Sequence, residues 1–209
     1  MMNRRLVIIG AGGHGKVCAS VAKKMNQWKE ILFLDDIPKD EVLGLKVLSP
    51  IDMDKTNTND TDFFVALGDN NLREKYLTQL LKINASIIRL IDPSSIVTAY
   101  SNIGSGSILM PGTIINCDVT IGKGSIINSG TIIEHDSQIG DYTHIAPGVN
   151  IAGGVKVGHF CTIGIGTTII NNLKIESNIL VGSHSNVTSN LSYPGTYYGS
   201  PAKYIRNEI

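Results

Sequence analysis

The sequence has few aromatic side chains, few charges of either sign and no long apolar run near its start. Aromatic residues make up 6% of the 209 residues, and 18 acidic residues balance 18 basic ones. No basic run is concentrated enough to form a nucleic-acid or acidic-membrane surface, so neither partner is expected. The longest apolar run near the N-terminus, residues 6–9, is too short for a signal peptide or a membrane span, so no membrane insertion is expected.

Cysteine is also scarce. The three cysteines, Cys18, Cys117 and Cys161, are odd in number, lie far apart and form no C-x-x-C pair. This usage excludes a disulfide framework and a cysteine-based zinc site. We therefore expect a reduced, cytoplasmic protein that holds no metal ion.

The second half of the chain contains a six-residue repeat. An aliphatic residue, in most cases β-branched, occupies every sixth position from Val97 to Val187, sixteen times without interruption. A small or aliphatic residue recurs four positions after each of them, and glycine often follows the aliphatic residue directly. A period of six fits neither a helix nor a freestanding alternating strand. It predicts a parallel β-helix in which three hexads close one triangular coil of 18 residues.

The first half follows a different pattern. Strands are predicted at residues 6–9, 31–34 and 63–67, and helices at residues 16–25 and 72–81. Alternating strands and helices favour a small α/β domain with a Rossmann-like parallel sheet. We place the domain boundary after residue 88, so that residues 89–209 form the β-helix and the C-terminal tail.

A glycine-rich turn follows the first predicted strand, and acidic residues end the second. The turn reads Gly10-Ala11-Gly12-Gly13-His14-Gly15, and the acidic pair is Asp35-Asp36. Taken literally, this dinucleotide fingerprint indicates an NAD-dependent enzyme. The domain is only about half the size of a doubly wound fold, which favours a nucleotide sugar whose phosphates lie at the helix N-terminus. A third interpretation is a turn that only packs closely, with both aspartates solvated.

Among the five histidines, His135 is distinguished by its acidic neighbours, Glu134 and Asp136. A carboxylate can orient an imidazole and raise its basicity. Adjacent residues on a flat strand point in opposite directions, so a contact between His135 and Asp136 requires a corner in the backbone. The alternative is an ordinary solvated histidine. Because a small prism has no pocket of its own, we expect the chemistry on its outside, in a groove between two copies.

The positions of two other residues in the repeat, His144 and Cys161, also bear on their possible roles. His144 ends the next hexad, on the neighbouring face of the same coil, and no third ligand accompanies it and His135 for a metal site. Cys161 falls at an inward position of the repeat, which favours core packing over a nucleophilic role.

Several segments together resemble one bacterial family. They are residues 9–17 (IGAGGHGKV), 33–36 (FLDD), 66–70 (ALGDN), 133–140 (IEHDSQIG) and 199–203 (GSPAK). The chain resembles sugar-nucleotide acetyltransferases of the hexapeptide-repeat superfamily, in particular the UDP-4-amino-sugar N-acetyltransferases of bacillosamine synthesis. Relatives in this family act on perosamine nucleotides and on sialic acid, and the similarity covers essentially the whole chain.

The resemblance implies a left-handed β-helix, a homotrimer and acetyl-CoA as co-substrate without a metal. It implies that His135 is the general base and that Asp136 raises its basicity, although many members have Glu at the second position. The residues implied to bind acetyl-CoA are His144, Ile165, Gly182 and Ser183. The residues implied to hold the nucleotide sugar are Gly12, Gly13, His14, Asp35, Asp36 and Gly68.

The implied reaction is transfer of an acetyl group to the 4-amino group of a UDP-linked amino-dideoxy sugar, which gives a UDP-N-acetylbacillosamine-type product for glycan biosynthesis. Three alternatives stay open. They are O-acetylation of sialic acid or another sugar, N-acetylation of a GDP- or TDP-linked amino sugar, and a non-catalytic scaffold or nucleotide-sensing module.

Overall fold

The computed structural model describes residues 4–37, 40–49 and 60–206, and the chain divides into two compact units, Met1–Pro93 and Ser94–Ile209. The first unit contains seven strands and two helices among its described residues. They are β1 (Arg5–Ile9), α1 (Gly13–Met25), β2 (Glu30–Leu34), β3 (Glu41–Val42), β4 (Leu45–Leu48), β5 (Thr61–Val65), α2 (Asn70–Lys82), β6 (Ser86–Ile87) and β7 (Leu90–Ile91). The domain boundary predicted after residue 88 falls between β6 and β7.

A parallel sheet with strand order β4-β2-β1-β5-β6 forms the centre of this unit. Strands β1 and β5 are mostly apolar and almost completely buried, as expected for a parallel sheet that is covered on both faces. Each is followed by a helix, as the alternating pattern predicted. All the parallel strands therefore end at the same edge, where the glycine turn and the acidic pair lie.

Two features of this unit differ from the sequence expectation. Helix α1 begins at Gly13, earlier than the predicted start at residue 16. The antiparallel hairpin of β3 and β4 was not predicted; its turn residues, Leu43 and Gly44, both have positive φ angles, of 54° and 68°. Two-residue hairpins favour such turns because their twist matches that of the strands, but leucine is an unusual residue to occupy one.

The second unit is a parallel β-helix with three faces. Face one consists of β10 (Ile108–Leu109), β13 (Ile126–Ile127), β16 (His144–Ile145), β19 (Thr162–Ile163), β22 (Ile179–Val181) and β24 (Gly195–Tyr198). Face two consists of β8 (Ile96–Val97), β11 (Ile114–Ile115), β14 (Ile132–Ile133), β17 (Asn150–Ile151), β20 (Thr168–Ile169) and β23 (Asn186–Val187). Face three consists of β9 (Asn102–Ile103), β12 (Thr120–Ile121), β15 (Gln138–Ile139), β18 (Lys156–Val157) and β21 (Lys174–Ile175). Strand β25 (Lys203–Arg206) pairs antiparallel with β24.

The interior of the prism is built from the repeat. Each aliphatic position pairs with the one in the next coil, as Ile133 pairs with Ile151, and both are buried. The small polar positions are buried too, and their hydroxyls donate to main-chain carbonyls, for example Thr143 Oγ1 to the Gly158 oxygen at 2.8 Å. Cys161 is fully buried, and this burial raises the pKa of its thiol to about 11. The core-packing role predicted for Cys161 is confirmed.

The corners of the prism require a left-handed backbone conformation once per hexad. In the corner between faces two and three, the residues with positive φ are Asp118, Asp136, Gly154 and Asn172. Glycine, asparagine and aspartate tolerate this conformation better than other residues do. The corner therefore explains why acidic and amide side chains recur at this spacing on the outside of the prism.

No helix in the described part of the chain is long and apolar enough to cross a membrane. The same residues contain no group of three or more His, Cys, Asp or Glu side chains placed to hold a metal ion.

Candidate active site

His135 and Asp136 form a hydrogen-bonded pair on the corner between faces two and three. The Nδ1–H of His135 donates to Asp136 Oδ2 at 2.7 Å. The contact that a flat strand would forbid is possible because Asp136 has a φ of +60°, which turns its carboxylate back toward the preceding side chain. This hydrogen bond and the charges of Asp136 and Glu134 raise the pKa of His135 above its ordinary value.

The pairing fixes the tautomer of the imidazole. A carboxylate only accepts hydrogen bonds, so the neutral ring carries its proton on Nδ1 and leaves the Nε2 lone pair free. The His135 side chain is 59% exposed, so Nε2 is accessible to a substrate. The other flanking carboxylate is engaged elsewhere, because Glu134 Oε2 accepts from Asn116 Nδ2 at 2.8 Å. Asp136 is therefore the carboxylate that orients His135.

Gly153 supports the ring of His135 from the next coil. A Cβ atom on Gly153 would lie 2.6 Å from His135 Cε1 and 2.7 Å from Nε2, so the imidazole occupies the space that any other residue would fill. The main chain of the same corner is held by a hydrogen bond from the Gly154 N–H to the His135 oxygen at 2.8 Å. Sequence analysis missed Gly153. Its only signal was its position, 18 residues after His135.

The residues predicted to bind acetyl-CoA lie together on face one or along its edge with face two. His144 is in β16, where Asn128 Nδ2 donates to its Nε2 at 3.2 Å. Ile165 and Ser183 occupy the same corner position in successive coils, and both are exposed. Gly182, by contrast, is buried.

The ring of Tyr198 covers Gly182. A Cβ atom on Gly182 would lie 1.8 Å from two carbon atoms of that ring, so the glycine provides the surface on which the ring rests. Tyr198 itself is 46% exposed. A ligand on this edge would therefore touch Tyr198 rather than Gly182. Sequence analysis missed Tyr198, because it belongs to β24, beyond the last regular hexad.

In the β-helix of one chain, the predicted catalytic pair is separated from the residues predicted to bind acetyl-CoA. In a triangular prism, the corner between faces two and three lies opposite face one. His135 and Asp136 occupy that corner, whereas His144, Ile165 and Ser183 lie on face one or at its edge with face two. The structure therefore brings together the members of each set but does not bring the two sets together in a single copy.

The glycine turn of the first unit is closely packed on its inner side, as the third interpretation of the turn supposed. Gly10 has a φ of +103°, and a Cβ atom there would lie 2.9 Å from the Ala66 oxygen. A Cβ atom on Gly15 would lie 2.0 Å from the Gly10 oxygen, so helix α1 can approach the turn only with glycine at this position. Gly12 and Gly13 have open space around them. The turn thus combines close packing on its inner side with an open helix N-terminus.

Asp35 and Asp36 line a cavity of about 180 Å³ at the carboxyl edge of the sheet, together with Leu67 and Tyr76. Asp35 Oδ2 accepts from the Ala11 N–H at 2.7 Å and so anchors the glycine turn. Burial, followed by the charges of Asp36 and Asp35, raises the pKa of Tyr76, which stays a neutral hydroxyl donor. Tyr76 was not predicted as a site residue; it comes from α2, and no sequence spacing links it to the acidic pair.

The other two predicted substrate residues, His14 and Gly68, are not part of the lining of this cavity. His14 Nε2 is 3.6 Å from Cys18 Sγ, one turn further along α1. Gly68 is exposed in the loop after β5, and its oxygen accepts from the Nη1 of the buried Arg73 at 3.1 Å. The N-terminus of α2 is already capped by Asp69 Oδ1, which accepts from the Leu72 N–H at 2.8 Å. By contrast, α1 has no side-chain cap and no acidic residue in its first turn.

Comparison with known proteins identifies both units. The PglD N-terminal domain family matches residues 5–80, and the bacterial transferase hexapeptide (six repeats) family matches residues 121–153. A UDP-N-acetylbacillosamine N-acetyltransferase from Bacillus subtilis is 32% identical over 120 residues. The alignment covers 51% of this chain and 51% of the relative, so the chain spans about half the length of that protein.

Solved structures match over nearly the whole chain. The acetyltransferase domain of PglB from Neisseria gonorrhoeae has a TM-score of 0.94 at 29% identity, covering 97% of this chain and 100% of that one. PerB from Caulobacter crescentus, in complex with CoA and GDP-perosamine, has a TM-score of 0.90 at 31% identity, covering 96% and 97%. The chain therefore belongs to the family of hexapeptide-repeat sugar acetyltransferases that carry a PglD-type N-terminal domain.

Proposed function

We propose that this protein transfers the acetyl group of acetyl-CoA to the 4-amino group of a UDP-linked amino-dideoxy sugar. The observation that carries the proposal is the His135–Asp136 pair, an exposed imidazole with its Nδ1 proton held at 2.7 Å and its Nε2 free. The relatives support the substrate class. PglB has been solved with acetyl coenzyme A, PerB with CoA and GDP-perosamine, and the Bacillus subtilis relative is named for UDP-N-acetylbacillosamine.

The proposed chemistry is direct transfer. The amine nitrogen of the sugar attacks the thioester carbonyl carbon while neutral His135 accepts the amine proton on Nε2. The C–N bond forms, the C–S bond breaks, and the thiolate of CoA leaves and takes up the proton from the imidazolium. Asp136 holds the ring in the required tautomer and stabilises the imidazolium. Gly153 leaves the space in which the ring lies.

The nucleotide sugar is proposed to bind in the first unit. Its phosphates would lie at the open N-terminus of α1, near Gly12, Gly13 and His14, where main-chain N–H groups and the helix dipole favour an anion. The nucleoside would occupy the cavity bounded by Asp35 and Asp36, with Gly68 in the adjacent loop. Carboxylates can accept hydrogen bonds from ribose hydroxyls and from the N–H groups of a base.

Acetyl-CoA is proposed to bind against face one, near His144, Ile165 and Ser183, with Tyr198 covering Gly182. Because this surface lies opposite the His135 corner, a complete site requires the corner of one copy and face one of another. This supports the expected homotrimer, in which each active site is shared by two subunits. We place the reaction in the cytoplasm, in keeping with the free cysteines of the described chain.

The test is the release of CoA thiol from acetyl-CoA with four acceptors in parallel. They are UDP-4-amino-4,6-dideoxy-N-acetylglucosamine, GDP-perosamine, UDP-N-acetylglucosamine and sialic acid. We expect rapid release with the UDP-linked 4-amino sugar, and a product heavier by one acetyl group. Release with sialic acid alone would show that the enzyme is an O-acetyltransferase. Release with GDP-perosamine alone would show that the acceptor sugar carries GDP and not UDP. No release with any acceptor would contradict the proposal.

A further inference from the structure

A fully buried arginine lies behind the loop that follows β5. Arg73, near the start of α2, is 0% exposed, although arginine is rarely buried unless its charge is compensated. The position is also unfavourable for the helix, because the N-terminus of a helix carries a partial positive charge that repels a cation. Helix stability therefore does not explain an arginine here, and its contacts indicate another role.

Three consecutive main-chain carbonyls converge on the guanidinium of Arg73. Its Nη1 donates to the oxygens of Leu67, Gly68 and Asp69 at 2.9, 3.1 and 3.2 Å. Its Nη2 donates to Asn70 Oδ1 at 2.7 Å. Hydrogen bonds from an ionised donor are stronger than neutral ones, and the planar guanidinium holds its acceptors in a fixed geometry. Four successive residues of the loop are therefore fastened on one side.

The same contacts orient the N–H groups of the loop. In a trans peptide unit, the C=O and N–H bonds point in opposite directions. Because the carbonyls of Leu67 and Gly68 point toward Arg73, the N–H groups of Gly68 and Asp69 point away from it. Gly68 is exposed with open space beside its Cα atom, and its N–H has no hydrogen-bond acceptor among the described residues. Two main-chain donors are thus presented next to Leu67, which lines the cavity of the acidic pair.

The positive charge of Arg73 also acts on α1. Burial raises the pKa of the Cys18 thiol above its ordinary value, and the nearby charge of Arg73 works against that rise. Cys18 lies one turn after His14, a predicted substrate residue, and its Sγ is 3.6 Å from His14 Nε2. A charge in the protein interior is weakly screened, so Arg73 also favours an anionic nucleotide at the N-terminus of α1.

We infer that Arg73 is a positioning residue for the nucleotide sugar, which holds the loop of residues 67–70 with its N–H groups turned toward the oxygen atoms of the nucleotide. The inference rests on the proposed function and deepens it, because it names what fixes Gly68 in place. Arg73 is fully buried and does not touch the substrate, so it acts through the loop. A lysine would keep the charge but lacks the planar fork that reaches three carbonyls and Asn70 Oδ1 together.

The experiment measures nucleotide binding and acetyl transfer in Arg73→Lys and Arg73→Met. Loss of main-chain hydrogen bonds to the nucleotide should raise the Kd for the nucleoside diphosphate that the wild type binds, UDP or GDP, about tenfold or more by calorimetry. The KM for the nucleotide sugar should rise by a similar factor. Neither kcat nor the KM for acetyl-CoA should change much, because the proposed base and cofactor surface lie in the β-helix. In NMR spectra, the Gly68 amide signal should shift when the diphosphate is added to the wild type, and much less in the variants.

Two comparisons separate positioning from charge and from stability. Arg73→Lys should be impaired nearly as much as Arg73→Met, since it keeps the charge and loses the fork; it also retains a buried cation should Arg73→Met fail to fold. Leu77→Ala removes another buried side chain one turn further along α2 and is the matched control. It should lower Tm without changing the Kd for the diphosphate.

The outcomes distinguish this inference from the proposed function. A normal Kd in Arg73→Lys would overturn the positioning role, because charge alone would then suffice. An equal rise of Kd in Leu77→Ala would also overturn it, because any loss of packing in α2 would have the same effect. Wild-type protein that transfers acetyl groups, together with unchanged constants in both Arg73 variants, would overturn the inference and leave the function intact. Wild-type protein that transfers to none of the acceptors would overturn the function itself.

Discussion

The two candidate sites of this chain are assembled in opposite ways. In the first unit, the carboxyl ends of the parallel strands meet at one edge, and one chain supplies the glycine turn, Asp35, Asp36 and Tyr76. In the β-helix, one chain supplies the His135 corner and the predicted cofactor surface on opposite sides of the prism. A parallel sheet gathers residues that are far apart in sequence, whereas a solenoid distributes neighbouring hexads around its circumference.

Sequence distance therefore has a different meaning in the two units. His135 and His144 are only nine residues apart, yet one lies on a corner and the other on the opposite face. His135 and Gly153 are 18 residues apart, and the glycine provides the space for the imidazole ring. Within the β-helix, the relevant neighbours of a residue are those one coil away.

The largest effect is expected from His135→Ala, which removes the proposed base and leaves both binding surfaces in place. Loss of a general base typically costs about 10²- to 10⁴-fold, so kcat should fall by that factor. The KM values for both substrates should change little, and Tm should not change because His135 is exposed. Steady-state kinetics test this, with Cys117→Ala, one coil earlier in the same corner, as the control. A variant with near-normal kcat would rule out His135 as the base.

Gly153→Ala should have the next largest effect, although it alters no group that reacts. The new methyl group would occupy the place of the ring, and a displacement of about 1 Å can cost about 100-fold, so we expect kcat to fall about 10- to 100-fold. The titration of the His135 imidazole, followed by NMR, should also change, which a purely structural defect elsewhere would not cause. Asn171→Ala, one coil further along the same corner, is the matched control. Unchanged kcat and an unchanged titration would contradict the role given to Gly153.

Asp36→Ala tests the first unit alone. Asp36 is exposed at the cavity, and the loss of one charged hydrogen-bond partner should raise the KM for the nucleotide sugar about tenfold while the KM for acetyl-CoA is unchanged. Asp40→Ala, an exposed aspartate outside the cavity lining, should leave both constants unaltered. An equal rise in the two KM values would show that this cavity does not bind the sugar nucleotide separately from the cofactor.

Asp136→Asn should have the smallest effect on rate, because exposed ion pairs are weak. We expect kcat/KM at the pH optimum to fall roughly two- to fivefold. Asp136 raises the pKa of His135, and the base acts in its neutral form, so activity is lost as pH falls through that raised value. The variant lowers the pKa of His135, so the acid limb of the pH–rate profile should move to lower pH. An acid limb that stays in place would show that Asp136 does not set the basicity of His135.

Much of the fold was predictable because the signals were periodic. The aliphatic residues at every sixth position specify the interior of the prism, and the structure places them there. The hairpin of β3 and β4 was missed because its turn, Leu43-Gly44, lacks the usual Asn-Gly or Asp-Gly signature. The early start of α1 was missed because its first turn contains glycine and histidine, which are weak helix formers, and packing against the Gly10 turn overrides that preference.

The candidate sites were predictable only in part. His135 and Asp136 could be named, but their contact depends on a left-handed corner that the sequence only allows. Gly182 was named for the cofactor, but Tyr198 covers it, and that contact comes from a strand outside the repeat.

The most direct test of the shared site is complementation between two inactive variants. His135→Ala removes the corner function, and Ser183→Trp blocks the cofactor edge with a bulky side chain at an exposed position. Each variant alone should be nearly inactive. In mixed oligomers made by co-expression at equal amounts, about a quarter of the sites pair an intact corner with an intact face, so about a quarter of wild-type activity should return. Activity that remains at the average of the two separate variants would show that one copy supplies the whole site, and would contradict the account.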